Sequence, residues 1–323
     1  MAARARASIA SAAAVLMGWL AVDVPAVAQA PLFRSSVEQV RVDVSVTRGA
    51  DPVAGLTAAH FEVLDNGVPQ VVDGVSQEQA PLNLMLVLDS SGSLAGDPIA
   101  ALVAAAQGLV RALRPDDRVG LLSFSQRITL QVAPTVHHAD VLSALGRLSA
   151  SGPTALRDAL FAGLQLVPPD GDARPIVMLF SDGRDTASWM AATELEGVVR
   201  RSGVVLHAVE LLGSSGTGAL RPGAVSNDVV EATRRARARG RLVGISESRS
   251  LSRAVQAGGG RLWSAALPGQ LAELFAEALD ELRARYLLTY TPQGVATPGW
   301  HEVTVRLKDA RGDVHARPGY FVP

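Results

Sequence analysis

Short apolar runs alternate with segments of helical periodicity through the middle of the chain, and this alternation constrains the fold more than any other feature. The run Leu82 to Leu88 is almost wholly apolar, as expected for a parallel strand that is covered on both faces. Parallel neighbours in one sheet need crossover connections, which helices normally supply. The pattern therefore predicts a doubly wound, mostly parallel α/β sheet. Its predicted strands cover residues 82–88, 119–124, 176–180 and 204–209, and its predicted helices cover 98–114, 155–166, 190–201 and 271–285.

The two ends of the chain show a different period. Valine alternates with polar residues from Val40 to Val46, and residues 303–307 alternate in the same way. A period of two places one face of a strand on a core and the other in water. Between two further apolar runs, the pair Asn66-Gly67 can adopt the positive dihedral angles of a tight hairpin. Because a few strands are marginal alone, we expect the two β-rich flanks to form one small sandwich.

The first residues have the order of an export signal. Arg4 and Arg6 precede an apolar run at residues 9–22, and small residues follow at 26–30. This order is typical of a secretory signal peptide, and the run is too short to span a bilayer. An uncleaved membrane anchor is the alternative. We expect a secreted or periplasmic protein with no transmembrane segment once the signal is removed.

These patterns divide the chain into four regions. We predict a signal peptide at residues 1–30, a β-rich flank at 31–80, the α/β domain at 81–285 and a second β-rich flank at 286–323. Within the α/β domain, residues 214–249 depart from the pattern and concentrate arginine. A plain surface insertion is one interpretation of this basic segment. A patch that binds a polyanion, such as an acidic partner, anionic lipid or cell-surface polymer, is the other.

Composition argues against several classes of function. The 30 basic and 31 acidic residues give a net charge of −1, which supplies no overall field to hold a nucleic acid. The chain has no cysteine, so disulfides, thiolate metal sites and thiol nucleophiles are all excluded. The sequence also lacks the Gly-x-Ser-x-Gly motif of many serine hydrolases. We therefore expect neither nucleic-acid binding nor enzymatic activity.

A set of oxygen-bearing side chains is predicted at the carboxyl edge of the sheet. The loop Asp89-Ser90-Ser91-Gly92-Ser93 follows one apolar strand directly, and Asp182 follows another, while Thr154 precedes a predicted helix. In an open α/β sheet, this edge forms the ligand crevice where the strand order reverses. Hydroxyl and carboxylate oxygens suit a hard divalent cation such as Mg2+ and not zinc or copper. The alternative is that Asp89 and Ser91 only cap the next helix.

The pattern resembles the complete metal-ion-dependent adhesion site of the von Willebrand factor A family. Asp89-x-Ser91-x-Ser93 together with Thr154 and Asp182 matches all five positions of that site. The resemblance covers residues from about 81 to 285. The flanks resemble those of exported bacterial proteins of the same family, in GLTAAHFEVLDNGVPQVV ahead of the domain and in RYLLTYTP and RPGYFVP after it.

The resemblance implies a function as well as a fold. In the family, the hydroxyls that correspond to Ser91 and Ser93 bind the cation directly, and that of Thr154 binds directly or through water. The carboxylates that correspond to Asp89 and Asp182 often act through bound water. The resemblance thus implies an exported binding protein that makes adhesion-like contacts dependent on Mg2+, Mn2+ or Ca2+.

The expected partner is a protein that offers an Asp or Glu carboxylate to the metal, since neutral hydroxyl ligands leave much of the cation's charge available. Two other functions remain open from the sequence. One is a structural subunit whose metal site only stabilises the fold, and the other is a hydrolytic enzyme.

Overall fold

The computed structural model describes residues 39–49, 51–77, 81–167, 173–212, 247–295 and 298–322. The strands are β1 Val40–Arg48, β2 Asp51–Pro52, β3 Phe61–Asp65, β4 Val68–Gln70, β5 Val72–Ser76, β6 Leu82–Asp89, β7 Arg118–Phe124, β8 Ile128–Thr135, β9 Arg174–Ser181, β10 Val205–Leu211, β11 Leu262–Ala265, β12 Tyr286–Tyr290, β13 Gly299–Leu307, β14 Asp313–Ala316 and β15 Gly319–Val322. The helices are α1 Asp97–Ala112, α2 His138–Leu145, α3 Leu156–Gln165, α4 Ala192–Ser202, α5 over residues 247–257 and α6 Leu271–Arg283.

Six strands form the sheet of the α/β domain, in the order β11-β10-β9-β6-β7-β8. All neighbours are parallel except β8, which is an antiparallel edge strand beside β7. The chain runs outward from β6 to β8 and then crosses back to form β9 on the opposite side of β6. Strand order therefore reverses between β6 and β9, which is where ligands bind in open α/β sheets.

Helices cover both faces of this sheet, and β6 shows why residues 84–88 are all apolar. Leu84, Leu86 and Leu88 pack into the layer that contains α1, α2 and α6. Met85 and Val87 pack into the opposite layer with α3, α4 and α5. Since alternate side chains of a strand point to opposite faces, a strand buried on both sides has no position for a polar residue. The predicted doubly wound sheet is confirmed.

The two β-rich flanks form two further sheets, each built from both ends of the chain. One has the order β14-β1-β12-β5, with β2 on β1, and the other has the order β15-β13-β3-β4. In the first, Val42 pairs with Leu288, and in the second, Val63 pairs with Val305. A single apolar core joins the two sheets, so the sandwich expected from the two ends is present. Its buried members are Val42, Val44, Val46, Phe61, Val63, Tyr286, Leu288, Tyr290 and Val303.

The hairpin between β3 and β4 follows the sequence pattern, whereas other elements are not predicted by it. Asn66 and Gly67 have φ values of 48° and 79°, as the tight turn requires. Elements that the pattern does not predict include β8, α2, β14 and β15. In β8, residues 128–131 alternate between apolar and polar, but all four are exposed, so the period of two is present without the buried face that normally accompanies it.

Two predicted segments lie outside the described residues. They are the signal peptide at 1–30 and positions 214–246 of the basic segment, while residues 247–249 are helical and belong to α5. Polyanion binding by the basic segment therefore stays a prediction, as do the boundaries of the four regions. Among the described residues, no helix combines the length and the apolar character that crossing a bilayer requires.

A buried carboxylate links strands from both ends of the chain within the sandwich. Asp65, at the end of β3, accepts hydrogen bonds from the hydroxyls of Tyr290 at 2.8 Å and Tyr320 at 2.7 Å. His301 Nδ1 lies 2.9 Å from the other carboxylate oxygen of Asp65. The three partners come from β12, β15 and β13, so one side chain of the N-terminal flank holds three strands of the C-terminal flank.

We predict that Asp65→Ala lowers the free energy of unfolding by at least about 3 kcal/mol, because it leaves buried hydroxyl and imidazole groups without their acceptor. Asp73→Ala is the matched control, since Asp73 accepts a hydrogen bond from Thr291 in the same sandwich but at an exposed position. The control should cost no more than about 1 kcal/mol. Urea unfolding followed by circular dichroism measures both. Equal losses in the two variants would show that the Asp65 cluster does not hold the flanks together.

Candidate metal site at the carboxyl edge of the sheet

Asp89 is the last residue of β6 and is fully buried. Its Oδ1 accepts a hydrogen bond from the Ser91 amide at 2.8 Å, and its Oδ2 accepts one from the Ser181 hydroxyl at 2.6 Å. Ser181 is the last residue of β9, the strand beside β6. The two bonds fix the orientation of the carboxylate at the point where the strand order reverses.

The hydroxyls of Ser91 and Ser93 lie together next to Asp89. Their Oγ atoms are 3.0 Å apart, and Ser91 is fully buried. Ser91 precedes a short 3-10 turn, Gly92–Leu94, but its hydroxyl makes no capping bond to that turn. The arrangement favours the interpretation of the Ser91 hydroxyl as part of an oxygen cluster over that of a helix cap.

Thr154 reaches the same edge because its loop is bonded to the loop that follows β6. The Ser151 amide donates to the Ser90 carbonyl at 2.7 Å, and the Gly92 amide donates to the Gly152 carbonyl at 2.8 Å. Thr154 itself is buried. These two backbone bonds place Thr154 beside the Asp89 loop without any contribution from its own side chain.

Asp182 follows Ser181 directly and is also buried. Its Oδ1 accepts a hydrogen bond from the Arg184 amide at 3.2 Å. The structure therefore places Asp89 at the end of β6 and the other four predicted residues, Ser91, Ser93, Thr154 and Asp182, in the connections at the same edge of the sheet.

Two further residues belong to this edge, and the sequence pattern does not predict them. Ser181 holds Asp89, and Glu210 lies opposite Ser181 on β10. Glu210 is buried and accepts a hydrogen bond from the Ser248 hydroxyl at 2.9 Å. Gly183 permits this packing, because it has a φ of +75° and a Cβ there would meet Glu210 Oε1 at 2.2 Å. Ser181 is the last residue of β9 and Glu210 the last but one of β10, each one position beyond the predicted strand. Their position at the carboxyl ends of these strands is the signal that the sequence offers.

Burial disfavours the ionised form of the carboxylates at this edge. Burial raises the pKa of Asp89 to about 6, hydrogen bonds from Ser181 and Ser91 oppose that rise, and the nearby charge of Asp182 adds to it. Burial also raises the pKa of Glu210, with Asp182 again contributing. In the part of the chain that the structure describes, no basic side chain forms an ion pair with Asp89 or Glu210. Within the described part of the chain, the buried carboxylates of Asp89 and Glu210 are therefore held by neutral donors.

The donors present fit a hard divalent cation, since they are hydroxyl and carboxylate oxygens. Histidine and cysteine have no part in the set. No group of three or more His, Asp or Glu side chains with metal-binding geometry occurs among the described residues. A cation at this edge would therefore depend on the serine and threonine hydroxyls as well as on the aspartates.

The strand order and the loop cluster define a doubly wound α/β domain with an oxygen-rich site at its switch point. Residues 84–184 match the family described as the von Willebrand factor type A domain. The chain contains a von Willebrand factor type A domain, and the match spans the loops of all five predicted site residues.

Relatives with curated sequences align over the same part of the chain. An uncharacterized protein of Synechocystis sp. is 36% identical over 108 residues, which is 32% of this chain and 26% of that protein. A UPF0353 protein of Mycolicibacterium paratuberculosis is 31% identical over 116 residues, which is 32% of this chain and 35% of that protein. This chain thus spans about a quarter to a third of the length of these relatives.

Solved structures with a similar fold include a von Willebrand factor type A protein from Catenulispora acidiphila, with 14% identity, a TM-score of 0.47 and coverage of 84% of this chain and 74% of that one. BatB from Bacteroides thetaiotaomicron has 15% identity and a TM-score of 0.45, over 62% of this chain and 99% of that one. Proximal thread matrix protein 1 of the mussel byssus, in a form with a zinc-occupied metal-ion-dependent adhesion motif, has 17% identity and a TM-score of 0.47. It aligns over 66% of this chain and 48% of that one.

We predict that Ser181→Ala, in the presence of chelator at pH 8, lowers the free energy of unfolding by about 1.5–3 kcal/mol, because a buried ionised carboxylate loses a hydrogen bond. Ser90→Ala is the matched control, since the Ser90 hydroxyl is in the neighbouring loop but donates to the Phe124 carbonyl. That neutral bond should contribute about 0.5–1.5 kcal/mol. Chemical unfolding of both variants and of the wild type, in chelator at pH 8, measures the two losses of stability. A Ser181 variant as stable as the wild type would mean that its hydroxyl does not orient Asp89.

Proposed function

We propose that this chain is an exported binding protein that makes protein–protein contacts dependent on a divalent cation held at the carboxyl edge of the sheet. The observation that carries the proposal is the cluster of buried Asp89 and Ser91 with half-buried Ser93 at the strand-order reversal. Its carboxylate is oriented by hydroxyl and amide donors and is not paired with a basic side chain among the described residues.

Five side chains would hold the cation. The hydroxyls of Ser91, Ser93 and Thr154 provide neutral oxygens, and the carboxylates of Asp89 and Asp182 provide negative charge, directly or through water. When bound, Mg2+ or a similar cation supplies a positive charge that three neutral ligands do not cancel.

The residual charge determines the chemistry of the partner. A carboxylate from an Asp or Glu of another protein provides a hard oxygen ligand and the balancing charge in one group. A hydroxyl or an amide provides only the oxygen. We therefore propose an acidic side chain of a protein as the group that binds at this edge.

A structural subunit in which the cation only stabilises the fold is the second candidate. It is favoured by the burial of Asp89, Ser91 and Thr154, since a metal at buried ligands contributes to folding. The two candidates differ in one respect, because only a binding protein needs a coordination position that faces outward.

The first test is metal-dependent stability. Mg2+, Mn2+, Ca2+ and Zn2+ are titrated into chelator-treated protein, and the midpoint of thermal unfolding is recorded. A cation that binds only the folded state adds about 2.7 kcal/mol of stability at a concentration one hundred times its Kd. We expect this rise in the wild type and its loss in Ser91→Ala and Asp182→Ala, with Ser90→Ala as the control that keeps it. Identical responses in all four proteins would refute the site.

The second test separates a binding protein from a structural subunit. The immobilised wild type is exposed to a surface extract of the host, with Mg2+ and with chelator. A partner retained only with Mg2+, and not by Ser91→Ala, is the expected result. Metal-dependent stability without any metal-dependent partner favours the structural subunit.

A further inference from the structure

Trp189 is the most exposed large apolar side chain among the described residues, with 97% of its surface accessible. Tryptophan is the largest side chain and is normally well covered, so near-complete exposure is unusual. Each of the other exposed large apolar residues in the described part of the chain is at most 68% accessible. An indole that stays in water gives the folded state none of the free energy of apolar burial. Its exposure therefore calls for an explanation other than stability.

The loop that carries Trp189 is held firmly by α3. The carboxylate of Asp158 accepts hydrogen bonds from the amides of Trp189 at 2.9 Å and Met190 at 3.0 Å. Arg157 Nε donates to the Met190 carbonyl at 2.7 Å. The Ser188 hydroxyl accepts from the Arg157 amide at 3.0 Å. The backbone on both sides of the indole is therefore fixed, and the side chain alone projects into solvent.

The same loop is bonded to the candidate metal site. The amides of Thr186 and Ala187 both donate to the Thr154 carbonyl, at 2.8 and 2.9 Å, and the Thr186 hydroxyl accepts from the Thr154 amide at 2.9 Å. Trp189 follows Ala187 by two residues, and two residues of extended chain span at most about 7 Å. The Cα atom of Trp189 therefore lies within about 7 Å of that of Ala187, whose amide is bonded to the Thr154 carbonyl.

We infer that Trp189 is an anchor for the same protein that binds at the metal site, and that it contacts an apolar side chain of that protein close to the acidic residue. The inference rests on the proposed function and makes it more specific. The recognised element is a peptide segment in which an Asp or Glu is followed or preceded, at a fixed offset, by an aromatic or aliphatic residue.

The chemistry of the indole supports this assignment. Tryptophan is enriched among residues that dominate binding energy, because it offers a large apolar area with few rotatable bonds. A backbone that is already fixed keeps the entropic cost of binding low. Phe161, three residues after Asp158 on α3, is 39% exposed and is a second apolar side chain on the helix that holds this loop.

The distances also limit the offset between the two contacts. An extended peptide advances about 3.3–3.6 Å for each residue. An acidic residue and an apolar residue separated by two to four positions are therefore about 7–14 Å apart. The lower end of this range equals the greatest distance that two residues can place between Ala187, which is bonded to Thr154, and Trp189.

The test uses a display library of 12-residue peptides with a fixed central Asp and random residues elsewhere, selected on the full chain in Mg2+ and eluted with chelator. Wild type should enrich an aromatic or aliphatic residue at one offset two to four positions from the Asp. Trp189→Ala should still select Asp peptides that elute with chelator, but without that preference. Phe321→Ala is the matched control, because Phe321 is 56% exposed on β15 of the sandwich, and it should select as the wild type does.

A second measurement uses Trp189 itself as the probe. One enriched peptide is added in Mg2+, and acrylamide quenching is compared between wild type and Trp189→Ala to isolate the signal of this indole. Protection of the indole on binding, with at least a tenfold loss of peptide affinity in Trp189→Ala and equal thermal stability of the two proteins, is the expected result.

The outcomes distinguish the two proposals. Chelator-sensitive Asp peptides with no apolar preference, or with a preference that Trp189→Ala retains, would overturn the role of Trp189 and leave the proposed function standing. The absence of any chelator-sensitive peptide on the wild type would overturn both.

Discussion

The strand β6 is covered by helices on both of its faces, and this burial determines where along the strand a charged side chain can be placed. From Leu84 to Leu88 each side chain enters one of two apolar layers, so a charged group there would lose its hydration without gaining a partner. The first position at which a carboxylate is tolerated is the one at which the strand leaves the core. That position is Asp89, and the reversal of strand order beside it opens the space that a ligand needs.

The partners of Asp89 explain how a buried carboxylate is kept ready for a cation. An arginine or lysine would neutralise the charge and occupy the space. The Ser181 hydroxyl and the Ser91 amide instead orient the carboxylate while leaving its charge uncompensated. This arrangement costs folding energy, since a desolvated charge with neutral partners is less stable than an ion pair. Sites that bind ligands commonly carry such a cost.

The parts of the structure that can be predicted are marked by patterns within a few consecutive residues. The other parts depend on contacts with residues that are distant in the sequence. The central strand β6 and the hairpin at Asn66-Gly67 follow from hydrophobic period and turn chemistry, which are read within a few residues. The edge strand β8 alternates apolar and polar residues from Ile128 to Val132, but residues 128–131 are all exposed. Because neither face is buried there, the strand is defined by its pairing with β7 and not by a buried face.

The candidate site shows the same division. The five residues of the motif lie at predicted loop positions, and their spacing is visible in the sequence. Ser181, Glu210 and Trp189 gain their importance from neighbours 92, 38 and 31 residues away, as the bonds to Asp89, Ser248 and Asp158 show. No local pattern contains that information, because the contacts exist only once the sheet has assembled.

The sandwich and the site are connected through α6. Phe275 of α6 stacks on Phe180 with ring centroids 3.9 Å apart, and Phe180 precedes the Ser181 that orients Asp89. At the other end of α6, Arg285 is buried and donates to the Asp43 carboxylate of β1 and to the Gly259 carbonyl at 3.1 Å.

The joint between α6 and the sandwich is therefore stiff. Removing one partner of a buried ion pair costs about 3–5 kcal/mol, and only Ala284 and Arg285 separate α6 from β12. A displacement of α6 along its axis would have to break the Arg285–Asp43 pair or carry the sandwich with it. Phe275 packs on Phe180, which precedes the Ser181 that orients Asp89. A change in the position of the flanking sandwich would therefore be transmitted through α6 to the Asp89 loop.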